Sequence, residues 1–178
     1  MTTKFAGDPV VGAVLRWVLA AVLLYAGGIK MIEPNGARDA INAYRVFPPS
    51  WAPVLGYALP LFEVALGLLL AMGIMVRTSA ALTALLMIGF IAGIASVWYR
   101  GYSIDCGCFG GGGDISPEGR ASRYTQEILR DALFAGMGAW LYRWPATRWA
   151  LERGHLPAVV GSEPPAGYSE DKREGHDG

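Results

Sequence analysis

Four stretches of the chain are dominated by apolar residues, and polar segments separate them. They lie at about residues 10–29, 54–76, 79–99 and 128–144. A bilayer core about 30 Å thick needs about 20 apolar residues in helix, and the first three stretches meet that length. The fourth has 17 residues with Arg130 and Asp131 near its start, where they suit interface anchors. Aromatic residues at its far end are typical of a membrane interface, which favours an even number of spans.

Charged residues also occur inside the first two stretches. Arg16 interrupts the first, which argues against a cleaved signal peptide, and Glu63 lies within the second. The third is the clearest span, because Ser79–Tyr99 contains no charge. The pattern therefore predicts an all-α integral membrane four-helix bundle over residues 1–150.

The composition changes near residue 150. Prolines, glycines and the charge run Glu170–Glu174 follow, and the only histidines, His155 and His176, lie in or next to this segment. Such a composition is typical of disorder. We therefore expect residues 151–178 to form a disordered cytoplasmic tail, and we expect no metal or catalytic role for the histidines.

Charged residues are sparser in the first part of the chain than in the rest. Eleven of the charged residues lie in residues 1–100 and nineteen in the remaining 78, with 15 Lys and Arg balancing 15 Asp and Glu. Zero net charge excludes a basic nucleic-acid-binding domain. The Lys and Arg residues near the span ends divide five against six between the two faces, so they do not fix the orientation.

The only two cysteines, Cys106 and Cys108, flank one glycine in the loop after the third span. A disulfide between them would be strained, and a strained, exposed disulfide is easily reduced. Three other interpretations are open: buried apolar residues, half of a metal site with Asp105 or Asp114, or a structural clip. Two thiolates without histidine are an incomplete zinc set, so we favour an exposed redox pair and expect no metal.

Glu63 is the second candidate catalytic residue. It lies about 14 Å into its helix if that helix begins near Val54, close to the midplane, where an acid is costly and usually functional. It either carries a proton that accompanies dithiol chemistry or forms a structural ion pair with Arg16. The sequence does not decide between these two roles.

Several short motifs resemble the MauE family within the wider DoxX-like group. They are Ala43-Tyr44-Arg45 with Pro48, Leu59-Pro60-Leu61-Phe62-Glu63, Arg100-Gly101, Asp105-Cys-Gly-Cys-Phe-Gly110 and Leu129-Arg130-Asp131. The resemblance covers roughly residues 10–145. It implies four transmembrane helices and, in methylamine utilisation, action with a thioredoxin-like partner in forming disulfides outside the cytoplasm. Cys106 and Cys108 match as the dithiol.

The resemblance also implies an orientation and a partner. The loops Lys30–Trp51 and Arg100–Gln126 would face outward, with both termini in the cytoplasm, because disulfides persist on the outer side. Membrane oxidoreductases that resemble vitamin K epoxide reductase use two cysteine pairs, and this chain has one. The pair must therefore pass electrons to a quinone-like acceptor in the bundle or exchange with a thioredoxin-fold or exported cysteine-containing protein. We favour exchange with a protein.

Two other classes of function stay open at this stage. The chain could be a non-enzymatic scaffold or assembly subunit, in which the cysteines only shape the loop. It could also be a metal or small-molecule carrier. The sequence does not indicate which cysteine attacks, because no nearby His or Lys marks a low-pKa thiol.

Overall fold

The structure is a computed structural model that describes residues 8–108, 111–145, 147, 150 and 151. Five α-helices make up most of it, with one 3₁₀ turn and two short strands. The helices are α1 (Pro9–Ile32), α2 (Pro34–Tyr44), α3 (Ala52–Met72), α4 (Val76–Tyr99) and α5 (Arg120–Arg143). The 3₁₀ turn is Pro49–Trp51, and the strands are β1 (Ile104–Asp105) and β2 (Gly113–Asp114).

Three helical segments are long and apolar enough to cross a membrane. They are Pro9–Ile32, Pro49–Met72 and Val76–Tyr99, and they make the chain a multi-pass membrane protein. The fourth predicted span falls in α5, which is equally long but does not reach the same hydropathy, because six of its residues are charged. The crossing of the membrane by α5 therefore stays a prediction.

The predicted helix count is wrong, because the segment expected to be the loop Lys30–Trp51 contains a helix of its own. Pro34 lacks a backbone N–H, so α1 ends before it and α2 begins at it. The short α2 buries only the small side chains of Ala37, Ala40 and Ala43. A search for long apolar stretches does not detect such a helix. The ribbon of β1 and β2 was likewise not predicted.

Small residues allow the helices to approach one another closely. The most extensive packing is between α1 and α3 and between α4 and α5. A Cβ atom at Gly67 would lie 2.8 Å from the side chain of Leu24, and one at Gly138 would lie 2.9 Å from the carbonyl oxygen of Ala80. Close backbone approach of this kind is how helices associate in lipid, where no hydrophobic force drives them together.

The bundle has two chemically different ends. The turn between α3 and α4 lies at one end, where the backbone N–H of Leu151 donates to the carbonyl of Met72 at 3.3 Å. We call this the tail end. The other end holds α2, β1 and β2, and we call it the cysteine end. The predicted tail, residues 151–178 with both histidines, lies outside the described residues apart from Leu151, so its disorder stays a prediction.

Candidate redox site

A small antiparallel hairpin positions the two cysteines. Ile104 pairs with Asp114 and Asp105 with Gly113, so Cys106–Cys108 and Gly111–Gly112 lie at the tip between the strands. Tyr124 of α5 anchors β1, because its hydroxyl accepts the N–H of Ile104 at 2.9 Å and donates to the carbonyl of Tyr102 at 3.1 Å. The hairpin is therefore held against the bundle at its base.

The tip brings the two thiols together. Gly107 has a φ of +66°, in the left-handed region that glycine adopts readily. The backbone N–H of Cys108 donates to the Sγ of Cys106 at 3.3 Å, and the N–H of Gly107 donates to Asp105 Oδ1 at 2.9 Å. Both cysteines are free thiols. The two thiols therefore lie together, whereas sequence spacing alone left several roles open for them.

The prediction of an exposed pair is wrong, since Cys106 is only 8 % exposed and Cys108 only 6 %. The cover is α2: a Cβ atom at Gly107 would lie 2.5 Å from the Cβ of Ala40. Tyr44 also reaches the tip from α2, and its hydroxyl donates to the carbonyl of Cys106 at 3.3 Å. The thiols are buried because a helix lies where the sequence predicted a loop.

Glu63 lies in a buried ion pair with Lys30. The Nζ of Lys30 lies 2.7 Å and 2.9 Å from the two carboxylate oxygens of Glu63, and the side chains are 4 % and 1 % exposed. The alternative pairing with Arg16 is therefore wrong. Since α1 continues to Ile32, Lys30 is a residue inside the bundle rather than part of an outer loop.

Arg16 lies at the tail end, and its guanidinium donates to the carbonyls of Leu70 and Ala71 at 2.8 Å and 3.2 Å. These carbonyls belong to the last turn of α3, where backbone acceptors have no partner within the helix. Arg16 thus closes the end of α3. The register between α1 and α3 explains why Glu63 pairs with Lys30 and not with Arg16, because Gly27 of α1 lies against Pro60 and Glu63 of α3.

One member of the ion pair and one of the two cysteines border a small cavity of about 40 Å³. Lys30 and Cys106 line it together with residues of α2, α3 and α4. Ligand pockets for small molecules usually enclose about 300–1,000 Å³, so this cavity does not fit a quinone ring. It can hold a water molecule. The tertiary structure thus places Cys106 and Lys30, the partner of Glu63, around the same cavity.

One face of α5 packs along the cysteine hairpin, and sequence reasoning did not identify most of the residues on that face. Arg120 donates to the carbonyl of Gly101, and Tyr124 anchors β1. Glu127 lies on the same face and is half-buried. Asp131 is 2 % exposed, so its predicted role as an interface anchor is wrong. The spacing of four, three and four residues was the available signal, since it marks one helix face.

Burial changes the acidity of groups at this site. The hydrogen bond with the Cys106 side chain, then burial and the charge of Cys106, raise the pKa of the Cys108 thiol well above its ordinary value. Burial, followed by the charges of Cys108 and Cys106, raises the pKa of the Tyr44 hydroxyl. Glu127 precedes the predicted fourth span, and burial raises the pKa of its carboxyl. Cys108 therefore keeps its proton at neutral pH.

Arginines connect the motif residues around the hairpin. Arg100 donates to the carbonyls of Tyr44 and Arg45. The guanidinium carbons of Arg45 and Arg100 lie 4.5 Å and 5.1 Å from the ring centre of Tyr102, within cation–π range. Residues from separate motifs thus meet at the cysteine end.

Within the described ranges, no group of three Cys, His, Asp or Glu residues converges in a way that could hold a metal ion. The arrangement is that of a buried dithiol with carboxyl groups beside it. Such a site can transfer electrons by thiol–disulfide exchange if a partner disulfide reaches it.

Comparison with known proteins agrees with the meeting of these motif residues at the cysteine end. A family model described as methylamine utilisation protein MauE matches residues 8–143. No curated protein and no solved structure matches the chain. The family match covers α1 to α5 and includes the hairpin with both cysteines and the Lys30–Glu63 pair. The chain therefore belongs to the MauE family.

Proposed function

We propose that this protein is a membrane-embedded thiol–disulfide redox protein, linked through its family to methylamine utilisation. Cys106 and Cys108 exchange a disulfide with a thioredoxin-fold partner and so support disulfide formation in exported proteins. The observation that carries the proposal is the hairpin tip, where the Cys108 N–H contacts Cys106 Sγ at 3.3 Å beside buried acids.

Glu63 has a supporting role in this proposal. Its ion pair with Lys30 lies at the cavity that Cys106 also borders. A cation near a thiol favours the thiolate, which is the attacking form, and the charge of Lys30 acts on Cys108 in this direction. Glu63 fixes the position of that cation, and the cavity offers a path for a proton.

The partner can reach the thiols only after α2 moves away from the hairpin tip. The contact between the two is tight: a Cβ atom at Gly112 would lie 2.7 Å from the backbone nitrogen of Ala40. Three consecutive glycines, Gly111 to Gly113, all have positive φ values. Other residues rarely adopt such a backbone, and the segment can therefore rearrange at low cost when the partner binds.

The test uses the full chain, purified in detergent micelles, and a thioredoxin-fold protein that carries a disulfide. Thiol–disulfide exchange is reversible, so the assay follows the reverse of the proposed reaction: the wild-type dithiol should reduce that disulfide and lose both free thiols. One of the two single variants, Cys106→Ser or Cys108→Ser, should trap a mixed disulfide with the partner, because the attacking thiol remains and no resolving thiol is left. If both variants support partner-dependent disulfide formation in cells, the scaffold alternative replaces the redox proposal.

The orientation is tested separately, with single-cysteine reporters in a Cys106→Ser/Cys108→Ser background. Ser116 is exposed at the cysteine end and Thr78 at the tail end. A membrane-impermeant maleimide should label Ser116→Cys in intact cells and Thr78→Cys only after lysis. The opposite result would place the dithiol in the cytoplasm. Labelling of both reporters from one side would contradict the crossing of α4 between them.

A further inference from the structure

The C-terminal end of α2 is completed by a residue from another helix. The last carbonyls of a helix have no partner within it and attract cations, but α2 has no basic residue in its last turn. Arg100, the residue that ends α4, supplies the charge. Its guanidinium donates to the carbonyl of Tyr44 and, at 3.3 Å, to that of Arg45. Arg100 therefore ties the end of α2 to the end of α4.

The same end of α2 reaches the cysteines. The hydroxyl of Tyr44 donates to the carbonyl of Cys106 at 3.3 Å. The ring of Tyr44 packs directly on α4, because a Cβ atom at Gly93 would lie 3.0 Å from it. Tyr44 thus accepts a hydrogen bond from Arg100 through its backbone and donates one to the cysteine tip through its side chain. A residue that holds Tyr44 also holds the cover over the thiols.

The backbone at this end of α2 is strained. Arg45 caps the helix with a φ of +51°, in the left-handed region, and a residue other than glycine keeps that conformation only where its surroundings hold it. Its carbonyl accepts from Arg100, and its guanidinium lies 4.5 Å from the ring centre of Tyr102. Its Nη2 atom lies 3.6 Å from Asp114 Oδ2 of β2. Removal of Arg100 takes away one of these supports.

The middle of α2 holds the tip less strongly. There the contacts are made by small residues, with Gly36 and Ala40 of α2 against Gly111 and Gly112. Such residues bury little apolar side-chain surface, so their contact contributes little free energy. At the other end, only Glu33 separates α2 from α1. The polar contacts at Tyr44 and Arg45 are therefore the ones expected to keep α2 closed on the tip.

We propose that Arg100 is a positioning residue that keeps α2 closed over Cys106 and Cys108, and that it thereby controls the access of other molecules to the two thiols. It acts through Tyr44 and Arg45. The inference rests on the proposed function, in which the molecule that needs access is a thioredoxin-fold protein. It goes further by naming the residue whose contacts must break before that protein reaches the thiols.

The experiment measures access to the thiols directly. Full-length protein in detergent micelles is reduced and treated with N-ethylmaleimide, an uncharged reagent, and alkylation of the two cysteines is followed by mass spectrometry. Arg100→Met should speed alkylation about 10-fold, the lower end for loss of a hydrogen bond from a charged group. Arg100→Lys keeps the charge but not the planar fork, and its rate should lie between those of Arg100→Met and wild type. Wild-type rates in both variants would overturn the inference.

A reporter at the tail end separates loss of the cover from general destabilisation. Ser79 is buried there, with 1 % exposure, and Ser79→Cys in a Cys106→Ser/Cys108→Ser background reports opening of the bundle. Arg100→Met should leave the alkylation rate of this reporter unchanged. Equal acceleration at the reporter and at the native cysteines would show that Arg100 only stabilises the fold, and the inference would be wrong.

A second arginine controls for the loss of charge. Arg123 is exposed on α5, one residue before Tyr124, and Arg123→Met should be alkylated at the wild-type rate. An acceleration equal to that of Arg100→Met would contradict a specific role for Arg100. Alkylation needs no disulfide partner, so this test does not depend on the redox proposal. Faster alkylation of Arg100→Met without any mixed disulfide to a thioredoxin-fold protein would support the inference and contradict the proposed function.

Discussion

Helix α1 carries two buried cations, and they differ in almost every respect other than charge. Arg16 and Lys30 are 14 residues apart, about 21 Å along the helix, and are 0 % and 4 % exposed. Arg16 is held by backbone carbonyls at the end of α3. Lys30 is held by a carboxylate, Glu63, beside a cavity. Burial of a charge in this bundle therefore does not by itself mark a functional residue.

The surroundings of the two cations explain the difference. The tail-end half of the bundle has a continuous apolar core that includes Leu19, Leu23, Leu66, Leu70 and Leu141. At the cysteine end the core includes Cys106, Cys108 and Tyr124, and acids lie next to it. A fixed cation with backbone partners stabilises a helix end. A cation paired with an acid near two thiols affects their chemistry.

The largest effect is expected from breaking the Lys30–Glu63 pair. Lys30→Met or Glu63→Leu alone should lower the free energy of unfolding by about 3–5 kcal/mol, because the remaining charge stays buried without its partner. The double variant, Lys30→Met with Glu63→Leu, should recover most of this loss but not the exchange rate. Thermal unfolding in detergent and the exchange assay measure the two properties. Equal exchange rates in the double variant and wild type would show that the pair is only structural.

Arg16 provides the matched substitution at the tail end. Arg16→Met should lower the free energy of unfolding by about 1.5–3 kcal/mol, the usual value for a hydrogen bond from a charged group. The rate of thiol–disulfide exchange should stay unchanged at a temperature where the variant is folded. A slower exchange in folded Arg16→Met would remove the distinction between the two cations.

A smaller effect is expected at Gly107. Gly107→Ala should lower the free energy of unfolding by about 1–3 kcal/mol, since φ is +66° and the new Cβ would overlap with Ala40. Gly101→Ala is the control: φ is +78° there, with no atom within 4 Å of the Cβ position. Gly101→Ala should lower the free energy of unfolding only by the cost of holding alanine at a positive φ. Adding Ala40→Gly to Gly107→Ala should recover only the overlap, and no recovery would contradict the contact between α2 and the tip.

The smallest effect is a pH dependence from Cys108. The pKa of its thiol is raised in the folded protein, whereas an unfolded cysteine ionises at about 8.5. Stability from this group is therefore present below about pH 8.5 and is lost as pH rises from there through the folded pKa. The melting temperature should fall more in this range for wild type than for Cys108→Ser. An identical decline in the variant would mean that other groups cause it.

Sequence reasoning identified unusual residues but not the surroundings in which the structure places them. It identified Cys106, Cys108 and Glu63 as unusual because each stands out from its local composition. It did not identify Lys30, Glu127 or Asp131 as site residues, because a charged residue near a span end has the same local pattern whether it faces headgroups or a cavity. It also missed α2, whose few apolar side chains are small.

The sequence by itself determined that the chain is a membrane protein, where three of its spans lie, which family it resembles and which two thiols it carries. These properties follow from local composition and from short runs of residues. Only the tertiary structure decided that Glu63 pairs with Lys30 rather than Arg16, that α2 buries the thiols, and that Tyr124 of α5 anchors the cysteine hairpin. Those contacts depend on the register between helices, which is set by close packing at positions such as Gly27, Gly67 and Gly138.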